Sequence, residues 1–99
     1  MNSYIYLRPY FEAANKILNG TIIKNLDEIR QKCNKQFLSM NTSYGYDQTL
    51  VLASLIADAE NRILLGESPE KIYLFNGDSK SFRENSRKLL EKIIKTYLG

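Results

Sequence analysis

The sequence predicts an all-α fold: one domain, residues 1–99, arranged as an antiparallel bundle of four main helices plus one short helix. Three observations predict it. Apolar residues recur at helical spacing in four separate segments. Capping residues and glycines bracket those segments. The length of 99 residues leaves room for one core and no second domain.

In the first segment Leu7, Tyr10, Phe11, Ala14, Ile17 and Leu18 fall on one face, Pro9 suits a first helical turn, and Gly20 ends it. The second begins at Asn25, a good N-cap, with Glu28 in the capping-box position. Leu26, Ile29, Cys33, Phe37 and Met40 continue its stripe, with Cys33 as a small core residue. Residues 41–46 (NTSYGY) form a loop. Asp47 then caps a third helix that runs to Leu65 and stops at Gly66. Leu50, Val51, Leu52, Leu55, Ile56, Ala59 and Ile63 make that helix apolar over a wide arc and predict it to be central. Ser68-Pro69 opens a short helix that Asn76-Gly77 must end. The same Asn-Gly pair leaves a strand over residues 71–75 as the alternative. Tyr73 and Phe75 belong to the core in this scheme. The last helix starts at Asp78 or at Ser81, the latter paired with Glu84, and carries Phe82, Leu89, Leu90, Ile93, Ile94, Tyr97 and Leu98.

Composition narrows the chemistry. The 43% hydrophobic and 25% charged fractions are those of an ordinary globular domain. There is no histidine and one cysteine, Cys33, so one chain cannot build a Cys–His nucleophile pair, a structural zinc site or an internal disulfide. No GxGxxG, Walker A, HExxH or EF-hand pattern occurs. An enzyme is not expected, and neither a cofactor nor a metal is called for. The N-terminal residues lack the pattern of a signal peptide. The longest apolar stretch, residues 50–57, is interrupted by Ser54 and falls far short of the roughly 20 residues of a membrane span. The expected location is cytoplasmic, away from membranes.

Charge is segregated along the chain. Residues 1–40 balance at +3 and residues 80–99 at +4, while residues 41–79 balance at −4, giving +3 overall. A field sorted by sign in this way can steer a charged partner. Within the acidic segment, Asp58, Glu67, Glu70 and Asp78 are candidates for one patch at the exit of the third helix, whereas Glu60, two residues from Asp58, must face another way. Tyr44 and Tyr46 lie in the polar loop with no core stripe beside them, and tyrosine suits a binding surface because it offers large, rigid, amphipathic area. These six residues are the candidate partner-binding set.

The basic last helix raises the alternative of a nucleic-acid-binding or regulatory protein, with Lys88, Lys92 and Lys95 along one side. Against it, Glu84 to Lys88 and Glu91 to Lys95 have the i,i+4 spacing of local ion pairs on a solvated face, and no recognition motif accompanies the stripe. A homodimeric adaptor or chaperone is a third class.

The order of these features resembles the small all-α immunity proteins of the colicin D type and those of contact-dependent growth inhibition systems. The resemblance rests on residues 17–22 (ILNGTI) at the end of the first helix, on Leu26 and Ile29, and on Leu55, Asp58 and Arg62 in the middle helix. It extends to Asp78 capping the last helix with Phe82 and Arg83 in its first turns. The family implies a cytosolic inhibitor that binds a cognate toxin nuclease domain, often a tRNase, and covers its active site. Family members are acidic overall, whereas here only the 41–79 segment has that sign. The basic four-helix immunity proteins against Gram-positive bacteriocins are similar in shape and stand second.

Overall fold

A computed structural model describes residues 5–40, 47–74 and 77–98. A 3-10 turn, Ile5–Leu7, leads into α1 (Arg8–Leu18), followed by α2 (Leu26–Ser39), α3 (Gln48–Leu64), the short α4 (Pro69–Ile72) and α5 (Ser79–Leu98). The described residues contain four long helices, one short helix and no strand; of the strand alternative at residues 71–75, Lys71 and Ile72 end α4, Tyr73 and Leu74 are not in a strand, and Phe75 lies outside the described residues. No helix among the described residues is long and apolar enough to cross a membrane.

Local signals set the helix boundaries. Gly20 and Gly66 both adopt positive φ, 94° and 107°, where a side chain would be strained. Each completes a Schellman cap. Gly20 and Thr21 donate to the carbonyls of Ile17 and Lys16 at 3.0 and 2.9 Å, and Gly66 and Glu67 to those of Ile63 and Arg62 at 3.0 and 3.1 Å. Asp47 caps α3: its Oδ1 accepts from the backbone N–H groups of Thr49 and Leu50 at 2.8 and 3.2 Å, while Tyr6 Oη donates to Oδ2. Asp78 does the same for α5, accepting from Lys80 and Ser81 at 3.1 and 3.2 Å, so this helix starts from Asp78 and not from a Ser81–Glu84 box. The capping box at α2 does not form. Asn25 occupies the N-cap position without a side-chain hydrogen bond, and Glu28 pairs with Lys32 at 3.5 Å instead.

The centre of the molecule is shared by α1 and α3. Helix α1 packs against α2, α3 and α5, and contributes Tyr10, Phe11 and Ile17 to the largest fully buried side chains, beside Leu7 and Leu90. Helix α3, predicted to be central, likewise packs against the other three long helices, α1, α2 and α5. On α3 the buried residues are Leu50, Ala53, Ser54, Ile56, Ala57, Ala59, Glu60 and Asn61, so Leu50, Ile56 and Ala59 of the expected arc are inside; Leu50, Ala53, Ala57 and Asn61 follow one side of the helix at 3–4–4 spacing. Ala53 and Ala57 are small enough to let neighbouring helices come close, so this face turns inward. The bulkier Val51, Leu52 and Leu55 turn outward, Leu55 with 66% of its surface exposed. On α5, Leu90 and Ile94 are buried and Phe82 and Leu89 are exposed. Tyr97 stacks on Phe11 with centroids 5.6 Å apart. Tyr73 is buried as expected; Phe75 lies outside the described residues.

These positions separate two substitutions that periodicity alone treats alike. Leu55→Asp leaves the core intact and should shift unfolding free energy by less than about 1 kcal/mol. Leu90→Ala removes a fully buried side chain and should cost about 2–5 kcal/mol. Urea unfolding followed by circular dichroism distinguishes them; a Leu55→Asp protein as unstable as Leu90→Ala contradicts the outward placement of Leu55.

Candidate functional site

The region around the exit of α3 is organised by a residue outside the candidate set. Glu60, one helical position from the α3 stripe that meets α1, points toward α5 with only 2% of its side chain exposed. Arg83 grips it as a fork, Nε to Oε2 and Nη2 to Oε1, both at 2.9 Å. Arg87 Nη1 donates to Oε1, and Tyr73 Oη donates to Oε2 at 2.7 Å. Arg87 Nη2 also reaches the Leu18 carbonyl at 2.9 Å, capping the end of α1. One carboxylate thereby ties α3 to α5, to the residue following α4, and through Arg87 to α1. Burial alone would push the Glu60 carboxyl up; the hydrogen bonds from Arg83, Tyr73 and Arg87 outweigh it and hold the group below its ordinary range. Burial and the bond to Glu60 push the Tyr73 hydroxyl well up, so it remains a donor.

On this frame sit three of the candidate acids, all exposed. Glu67 accepts a second arginine fork, from Arg62 Nε at 2.8 Å and Nη2 at 2.7 Å, which lowers its pKa. Glu70 accepts from Ser68 Oγ at 2.7 Å, and this bond lowers its carboxyl too. Asp78 is the α5 cap, lowered first by the hydroxyl of Ser81, which donates to Oδ2 at 2.8 Å. The connection between α3 and α5 also exposes Leu65 at 59% and Leu74 at 81%, and Phe82 in the first turn of α5 is 42% exposed. Phe82 lies edge-on to Tyr73, centroids 6.1 Å apart, on the outer side of the Glu60 cluster. Neither the apolar members nor Glu60 stand out in the sequence. Leu65 follows a helix stripe, and the spacing that excludes Glu60 from the face of Asp58 does not say what it meets.

Asp58 sits apart from the other three. It is half-buried and accepts from Tyr10 Oη at 3.3 Å on the side facing α1. Burial raises its pKa, with Arg30 acting in the opposite direction. Its electrostatic link to the exit runs through Arg62, whose charge acts on both Asp58 and Glu67. Tyr44 and Tyr46 lie outside the described residues.

Elsewhere the chemistry is sparse. Among the described residues no group of three or more His, Cys, Asp or Glu side chains could hold a metal ion. Cys33 is buried as a free thiol, pushed up by burial. The ion pairs expected along α5 are not formed among the described residues. The ion pairs among the described residues join Arg8–Glu12, Asp27–Arg30, Glu28–Lys32, Arg62–Glu67 and Glu60 with its two arginines, and none involves Lys88, Lys92 or Lys95.

The Glu60 cluster gives a pH dependence of definite sign. Because the folded carboxyl titrates below its unfolded value, its contribution to stability is complete above that unfolded value and is lost as pH falls through the lower folded one. Asp58, raised by burial, works the other way over acid pH. Glu60→Gln should cost about 2–3 kcal/mol near neutrality. The remaining stability should then fall less between about pH 6 and pH 3 than that of the parent. Urea midpoints measured across this range check both statements, and parallel pH profiles for the two proteins contradict them.

No protein-family model, curated protein or solved structure matches the chain.

Proposed function

We propose that this chain is a non-catalytic inhibitor, an immunity protein that binds a cognate bacterial toxin and covers its active site, the toxin being a basic nuclease of the tRNase kind. The observation that carries this reading is the composition of the α3–α5 connection and the first turn of α5: exposed Leu65, Leu74 and Phe82 interspersed with the exposed carboxylates of Glu67, Glu70 and Asp78. Apolar anchors ringed by charge are the usual make-up of an energetic centre in a protein interface. Carboxylates there complement a cleft built to hold phosphates and speed its encounter with the inhibitor. The Glu60 cluster beneath supports the reading because a surface already ordered loses little entropy on binding. Tyr44, Tyr46 and Asp58 complete the proposed contact set. The antiparallel arrangement of the four main helices, and a cytoplasmic location where the producing cell needs protection, belong to the same proposal.

A second reading has one observation in its favour. Lys88, Lys92 and Lys95 recur along one side of α5 without carboxylate partners among the described residues, as a phosphate-binding stripe would. It lacks base-reading or stacking residues beside the stripe, and the inhibitor reading ranks above it.

The gene immediately upstream supplies the test. A large exported protein with a toxic C-terminal domain is expected there, and the purified chain should abolish that domain's cleavage of tRNA at near-equimolar ratio. Glu67→Lys with Glu70→Lys should leave the fold intact and raise the dissociation constant about tenfold or more, largely through slower association. A domain unaffected by the chain overturns the inhibitor reading. Fluorescence anisotropy showing micromolar or tighter binding to short RNA, lost in Lys92→Ala, favours the α5 stripe instead.

A further inference from the structure

A second surface, at the other end of α3 from the acidic connection, has the opposite charge. Helices α2 and α3 enclose a half-open groove of about 580 Å³. Leu38, Leu50 and Val51 give it an apolar floor, with Leu38 and Val51 exposed to water and Leu50 buried beneath them. Arg30, Lys32 and Lys35 line it from α2, against a single acid, Glu28. Its α2 wall runs from Glu28 to Leu38, roughly 15 Å at 1.5 Å rise per residue, which is about three helical turns.

The positive charge in this groove is only partly used. Lys32 is 3.5 Å from Glu28, both largely exposed, while Arg30 Nη2 donates to Asp27 and its charge also acts on Asp58. Lys35 has no ion pair among the described residues. Arg30 Nε is buried without a hydrogen-bond acceptor, the only buried side-chain N or O atom among the described residues left in that state.

We infer that this groove receives an acidic amphipathic helix of a partner protein. Its apolar face lies on Leu38 and Val51, and its carboxylates meet Arg30 and Lys35. The length of the groove matches the i, i+4, i+7 anchors by which a helix seats between two others. The excess of positive charge selects acidic over basic segments, since like charges across an interface repel. The same repulsion keeps this surface distinct from the α3–α5 connection, whose carboxylates suit a basic partner, and the two inferences stand independently.

The test uses a synthetic helix of about four turns with Leu at i, i+4 and i+7 and Glu at its polar positions, labelled with fluorescein, and a counterpart with Lys for every Glu. The Glu helix should bind the intact chain at least about tenfold more tightly than the Lys helix. Lys35→Glu and Val51→Ser should each weaken it about fivefold or more, while Lys92→Glu on α5, with the same change in net charge, should alter it less than about twofold. Circular dichroism confirms that each variant is folded, and both substituted α2 and α3 positions are at the surface. Equal loss in Lys92→Glu and Lys35→Glu would mean attraction by net charge alone and would overturn the inference. So would binding of dodecanoate, lost in Lys35→Glu, by a chain that ignores the Glu helix, since the occupant would then be an anionic lipid.

Discussion

The buried carboxylate of Glu60 is the constraint on which the α3–α5 side of this molecule depends. A lone carboxylate at 2% exposure would be strongly unfavourable; four donors from Arg83, Arg87 and Tyr73 make it tolerable. Both arginines keep about a third of their side-chain surface in water, so the cluster is partly solvated on its cationic side and dry on its anionic side. Such a cluster contributes more to specificity than to net stability. An apolar residue of similar volume at position 60 could pack as well, yet it would not fix where α5 begins or where the chain turns after α4.

That geometry matters because α4 cannot hold itself in place. It is four residues long, has no buried side chain, and is joined to α3 and α5 by connections that expose Leu65 and Leu74. A single helical turn has little stability of its own. The next residue, Tyr73, is inserted under Phe82 and bonded to Glu60, and this one anchor sets the position of the surrounding exposed groups. Glu67, held by Arg62, and Asp78, held by the first amides of α5, frame the connection at its two ends. The electrostatic consequence is a surface whose carboxylates are oriented before any partner arrives.

Much of the fold was legible because the relevant signals are local. Gly20, Gly66, Asp47, Pro69 and Asp78 act on backbone groups within a few residues of themselves, and each lies at the helix end where its chemistry placed it. The faces of α1 and α2 were legible for a similar reason, since their stripes are narrow and leave one choice of buried side; only Met40, at the end of the α2 stripe, departs from it, lying past the last helical turn with 46% of its surface exposed. Helix α3 was not, because its apolar arc is wide enough to admit two orientations. The choice falls to the close approach permitted by Ala53 and Ala57, which depends on helices distant in sequence. The same limit applies to the site. Spacing separates Glu60 from Asp58, but the arginines that neutralise Glu60 lie 23 and 27 residues further on, and no periodicity links them. Charge segregation correctly marks 41–79 as acidic, yet it does not reveal that Arg62 and Arg83 reach into that segment's carboxylates, nor that the surface there is as apolar as it is acidic.

Amide hydrogen exchange, read residue by residue in the parent chain and in Arg83→Gln, tests the central claim most directly. If the carboxylate cluster holds the α3–α5 connection, exchange in α4 and in the first two turns of α5 should accelerate in the variant by about tenfold or more, while α1 and α2 keep their protection. Uniform acceleration across all helices, or no change in the connection, would show that the connection is held by something other than Glu60.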